Sequence, residues 1–152
     1  MRTLNIKKLF CCVGLLFIMI SMSAQTKIET FDFEGKVGSH SVQMRLTFYS
    51  NNTVKGFYTY DSQVAQGNTS TIPLEGTYSG DINEGHIMLI EYNPSKSKAI
   101  GTFDCVLEGG YGHEGMFEMH WLNITGRTGY RNYKSGKILT VNLGGYNMYQ
   151  RY

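Results

Sequence analysis

The sequence predicts an all-β fold, an eight-stranded antiparallel up-and-down (meander) β-barrel, and three observations carry that expectation. Apolar and polar residues alternate through most of the chain beyond residue 24, most cleanly as Val42, Met44, Leu46 and Phe48 against Ser41, Gln43, Arg45 and Thr47. A period of two places successive side chains on opposite faces of a strand. A Gly-x-aromatic opening recurs as Gly56-Phe57-Tyr58, Gly76-Thr77-Tyr78, Gly101-Thr102-Phe103 and Gly115-Met116-Phe117, so one strand type is laid down repeatedly. Most connections are short and rich in turn residues, too short for parallel crossovers. Eight strands in sequential antiparallel order close most simply into a barrel, which removes the exposed edges.

Residues 1–24 stand apart. Arg2, Lys7 and Lys8 precede an apolar run over 9–20, and Ser21-Met22-Ser23-Ala24 supplies small residues ahead of Gln25. That order predicts a secretory signal peptide, with an apolar core too short for a comfortable membrane span. A retained N-terminal anchor is the alternative. The mature protein is expected to be one domain over 25–152, periplasmic or secreted, with no stable membrane span. Three of the 14 basic residues leave with the signal and all 12 acidic residues remain, so the net charge falls from +2 to −1. A basic nucleic-acid-binding face loses its support, and no nucleic-acid partner is expected. Cys105 is the single cysteine after residue 24, so no intrachain disulfide forms. Its place between Phe103 and Leu107 predicts a small buried apolar residue rather than a nucleophile.

The strands follow in order. Residues 28–37 direct Phe31 and Phe33 inward, Gly38-Ser39 turns the chain, and 40–49 form the second strand. Ser50-Asn51-Asn52 is turn chemistry, because Asn tolerates the left-handed conformation of tight hairpins. Residues 53–61 place Val54, Gly56, Tyr58 and Tyr60 on one face, 62–70 form a polar loop, and 71–79 place Ile72, Leu74, Gly76 and Tyr78 in phase. After a turn over 80–85, residues 86–92 form a fifth strand whose run Ile87-Met88-Leu89-Ile90 is apolar on both faces. The outward side is therefore either covered or available to a partner. Residues 101–108 alternate Phe103, Cys105 and Leu107 against Asp104 and Glu108. A turn over 109–113 leads to 114–122, with Gly115, Phe117, Met119 and Trp121 on one face. Residues 123–136 form the longest loop, and 137–143 close the barrel with Leu139, Val141 and Leu143 inward.

These repeated strands resemble the avidin and streptavidin pattern and, more loosely, lipocalins, over about 54–143. Gly56-Phe57-Tyr58, Leu74-Glu75-Gly76-Thr77-Tyr78 and Trp121-Leu122 carry the resemblance. The rhythm is also similar to that of small uncharacterised secreted β-barrel proteins of Gram-negative bacteria, with Leu89-Ile90-Glu91 as a Leu-x-Glu step. The resemblance implies the barrel. It does not imply biotin, whose avidin sites use several tryptophans where this chain has only Trp121.

Chemistry-bearing motifs are sparse. No Gly-x-Ser-x-Gly, His-Glu-x-x-His or phosphate loop occurs, so no catalytic residue, metal site or cofactor is predicted. His113, Glu114, Glu118 and His120 suggest metal ligation, but alternation sets Glu118 and His120 on an outward, solvated face with no third ligand in reach. Glu91 shares the inward phase of Ile87 and Leu89, at a barrel mouth, where a carboxylate needs a donor, a raised pKa or a ligand. A wet rim is the other reading. The expected ligand-binding set is Tyr58, Tyr78, Glu91, Phe103 and Trp121. Arg127, Tyr130, Arg131 and Tyr133 form the expected interface set, since Tyr and Arg are over-represented at binding hot spots.

The functional expectation is a non-enzymatic binding protein that takes a small apolar molecule inside the barrel. One alternative is a protein-binding module, an inhibitor or envelope component, acting through the Tyr/Arg loops. Another is a small outer-membrane barrel with its apolar face toward lipid.

Overall fold

The computed structural model describes residues 25–68, 70–114, 117–130 and 138–150. The expected signal sequence, Arg131 and Tyr133 lie outside these residues. Eight strands are present: β1 (Lys27–Val37), β2 (His40–Tyr49), β3 (Thr53–Tyr60), β4 (Ile72–Asp81), β5 (Glu84–Tyr92), β6 (Ala99–Glu114), β7 (Phe117–Tyr130) and β8 (Ile138–Gln150). Each pairs antiparallel with its sequence neighbours, and β8 returns to β1, with Asp32 opposite Tyr146 and Val37 opposite Val141. The barrel is closed. Its upper rim carries the β1–β2, β3–β4 and β5–β6 connections, and its lower rim those between β2 and β3, β4 and β5, and β6 and β7.

Alternation decides what lies inside. Among the described residues twenty buried hydrophobic side chains form one cluster in the interior, among them Phe31, Phe33, Phe48, Tyr58, Phe103 and Leu122. Burying a large apolar side chain contributes about 1.5–3 kcal/mol, and this interior is the main favourable term in the fold. The outer wall carries charge. Arg45 donates from Nε and Nη2 to the two Asp32 carboxylate oxygens at 2.5 and 2.8 Å, and this hydrogen-bonded guanidinium holds Asp32 below the usual carboxylate range. Lys96 pairs with Glu75 at 2.8 Å, and His86 lies 2.7 Å from Asp104. Charged pairs outside and hydrocarbon inside are the reverse of a lipid-facing wall, which counts against the outer-membrane alternative. Met88 and Ile90, from the apolar run of β5, are exposed on this wall.

The turn chemistry is as expected, with Gly38 at φ 62° and Asn52 at φ 60°. Three elements differ from the expectation. Residues 61–65 form a single helical turn, α1 (Asp61–Ala65), within what reads as a polar loop. β6 continues through 109–113, where a turn was expected. β7 continues through 123–130, which reads as a loop because its inward positions there include Gly126 and Thr128 rather than bulky apolar groups. A Cβ on Gly126 would lie 2.3 Å from the Asp104 carbonyl oxygen, so close strand approach excludes a side chain. Cys105 is buried, as expected, and burial pushes its thiol up to about 12.

Candidate functional site

The two ends of the interior each hold a buried carboxyl group, and they treat it differently. At the upper end, Glu91 on β5 is 2% exposed. Register sets it opposite Leu74 on β4 and Gly101 on β6, so its immediate neighbours across both ladders offer no polar side chain. Tyr58 on β3 donates its hydroxyl to Glu91 Oε1 at 2.9 Å. That proton being used, the half-buried Tyr60 donates to the Tyr58 oxygen at 3.3 Å. Among the described residues Glu91 Oε2 has no partner, and neither has Thr128 Oγ1 on β7. Among the described residues no cation pairs with Glu91. Loss of water raises its pKa, and the Tyr58 hydrogen bond lowers it only in part.

Aromatic rings surround this carboxyl. Tyr58 meets Phe103 edge-on at 5.9 Å and Tyr60 at 5.4 Å, and Tyr60 meets the exposed His40 at 5.6 Å. A chain of rings therefore leads from the rim to the buried acid. Thr128 stands opposite Phe103 in the β6–β7 register.

At the lower end, His120 on β7 is fully buried. Its Nδ1 is hydrogen-bonded to Glu29 Oε2 at 2.8 Å and its Nε2 lies 2.6 Å from Asn83 Oδ1, with the tautomer deciding which nitrogen donates. Asn147 donates to the other Glu29 oxygen at 3.2 Å. The imidazole lies between Phe31, edge-on at 4.8 Å, and Tyr111, stacked at 4.2 Å. Asn83 sits in the β4–β5 turn, where its carbonyl accepts the Gly109 N–H at 2.8 Å. The cluster ties β1, β7, β8 and a turn together.

The structure brings Tyr58, Glu91 and Phe103 together but separates the other two residues of the expected ligand set. Tyr78 is buried near the lower rim, edge-on to Phe48, with its hydroxyl donating to the Tyr49 carbonyl at 3.3 Å. Trp121 is not inside. The inward phase of β7 is His120, Leu122 and Ile124, whereas Phe117 is 40% exposed and Trp121 is half-buried on the outer wall. Its indole lies across Gly110, where an added Cβ would meet the ring at 3.1 Å, so glycine makes room for it. The same inversion moves His120 from the expected solvated face into the interior. Among the described residues no three metal-ligating side chains gather.

Of the expected interface set, Arg127 is exposed on β7 and Tyr130 ends that strand, so neither belongs to a loop. Arg131 and Tyr133 fall outside the described residues. The surface concavities run along the outer wall, one lined by Asp32, Arg45, Phe57 and Thr59. Sequence reasoning missed Glu29, Asn83 and Thr128. Glu29 shares the phase of Phe31 and Phe33, and Thr128 that of Leu122 and Ile124; those phases were the available signal.

The architecture is a closed eight-stranded antiparallel up-and-down barrel. No protein-family model matches the chain, and no curated protein matches it. Among solved structures, it is similar to the short afifavidin–biotin complex, at 18% identity and a TM-score of 0.43, over 79% of this chain and 88% of that one. It is also similar to the rhizavidin–biotin complex, at 16% identity and a TM-score of 0.44, over 86% and 100% of the two chains. No residue role passes from these proteins to this chain.

Proposed function

We propose that the protein is an exported, periplasmic or secreted, non-enzymatic barrel that binds a small, largely apolar ligand at the upper end of its interior. One observation carries this reading: Glu91 Oε2 and Thr128 Oγ1 are buried without hydrogen-bond partners among hydrocarbon and aromatic side chains. An unsatisfied buried polar atom costs about 1–3 kcal/mol, and a ligand that satisfies it recovers that free energy. Leu74, Leu89 and Phe103 supply an apolar wall, and Glu91 and Thr128 a polar end that orients the guest. The interior side chains form one packed cluster, so a ligand makes room by displacing core side chains as well as Tyr60 and His40 at the rim. Export rests on the order of charge, apolar run and small residues over 1–24.

The filled interior supports a second reading, in which the barrel is a scaffold for protein binding through the segment that includes Arg131 and Tyr133. Titration of the mature chain with N-phenyl-1-naphthylamine, a neutral apolar fluorophore, separates the two. The ligand reading expects saturable binding that Thr128→Leu abolishes and Arg131→Ala leaves intact. Trp121 emission should stay constant, since that ring lies on the outer wall. Absence of saturable binding would remove the interior-site reading and leave the protein-binding one.

A further inference from the structure

We propose that the natural ligand presents a primary ammonium head to Glu91, with its apolar body along the Phe103 side of the core. The inference rests on the reading of the upper end as the ligand site and names what that site selects. Three features converge on this chemistry. Glu91 is a carboxyl group with one oxygen bound to Tyr58 and the other unpartnered, and no cation of the described residues pairs with it. The complement of an unpaired acid is a donor that carries positive charge. Thr128 on β7, across β6 from Glu91, adds a second buried hydroxyl without a partner among the described residues at the same end of the interior. Tyr58, Tyr60 and Phe103, with ring centroids 5.4 and 5.9 Å apart, supply aromatic rings near the carboxyl whose π-faces attract an ammonium ion that has lost its water.

A neutral hydroxyl head would satisfy one of the orphan oxygens but not the charge. A carboxylate head would set two acids side by side in an apolar site, where both cannot ionise. An ammonium satisfies Glu91 Oε2 and supplies the missing counter-charge in one step. The chain of rings from His40 through Tyr60 to Tyr58 marks its way in, and cation–π attraction favours that route over the aliphatic parts of the rim.

The test is calorimetric titration of the mature chain with n-hexylamine, n-hexanol and hexanoate, three probes that share one apolar body. Hexylamine should bind about 10- to 100-fold more tightly than hexanol, the range of one charge-assisted hydrogen bond. Glu91→Gln keeps the side-chain size and an acceptor for Tyr58, so it should fold, and it should erase the amine preference. Thr128→Val should weaken hexylamine by less than about tenfold. Equal binding of hexylamine and hexanol, or a preference that survives Glu91→Gln, overturns the ammonium assignment while the ligand site itself stands. Tighter binding of hexanoate also overturns it. Binding by none of the three, together with no response to N-phenyl-1-naphthylamine, overturns the ligand site as well.

Discussion

The upper and lower ends of the barrel pose the same problem, a carboxyl group cut off from water, and resolve it in opposite ways. At the lower end Glu29 has partners for both oxygens, from His120 and Asn147, and His120 is itself held by Asn83. At the upper end Glu91 has a partner for one oxygen, and Thr128 has none. A satisfied buried network rigidifies, whereas a partly satisfied one is a liability that persists where something else completes it. The lower cluster is therefore the clasp of the barrel, and the upper one is where we propose that a ligand binds. Both are built on the same alternation of inward residues, so the difference lies in what the facing strands contribute. β7 and a turn supply a histidine and an asparagine below; β4 and β6 supply leucine and glycine above.

The comparison can be broken first at the core that both ends share. Phe103→Ala should destabilise by roughly 3–5 kcal/mol in a urea titration, as large-to-small core changes do. Asp104→Ala, one residue away on the outer wall, should change stability by about 0.5 kcal/mol or less. Similar losses for the two would mean that the inward phase of β6 is misassigned.

A slightly smaller effect is expected at the clasp. His120→Ala removes the bond to Glu29 Oε2 and the contact with Asn83 Oδ1 beneath Tyr111, and should cost about 3 kcal/mol. Hydrogen exchange should show the loss concentrated at the lower rim, in the β4–β5 turn and the start of β1. A neutral His120→Ala would reduce the clasp to an incidental contact and erase the contrast between the ends.

The fold was legible because its signals are redundant. Val42 to Phe48 alternate on β2, Gly38 and Asn52 mark turns, and each strand is checked by its neighbours. The site was legible only in part. Glu91 was placed correctly because Ile87 and Leu89 set its phase from within the same strand. Trp121 was misplaced because its strand was taken to end at Leu122, so Ile124 and Thr128 had no influence on the phase. Bulk then favoured Phe117, Met119 and Trp121 over His120. The histidine was the inward residue, and its partners Glu29 and Asn83 are 91 and 37 positions away, which no local pattern relates. Tyr111 falls in what reads as a turn over 109–113, yet it stacks on that histidine.

The central claim is that one buried carboxyl group is structural and the other is held in reserve, and one substitution made at both ends tests it directly. Glu29→Gln should lower stability by about 1–3 kcal/mol, because it replaces one of the two carboxyl oxygens that hold His120 and Asn147. Glu91→Gln should raise it at pH 8. Burial raises the Glu91 pKa above its ordinary 4.5, so below that value folded and unfolded chains are both protonated and the residue carries no penalty. As the pH climbs, the unfolded chain ionises first, and stability is lost until the folded carboxyl also titrates. The Glu91→Gln advantage should therefore be present at pH 8 and close to nothing at pH 4. Urea titrations of both variants at the two pH values give the answer. Opposite signs at pH 8, with the Glu91→Gln gain vanishing in acid, are the predicted result; losses at both positions would contradict it.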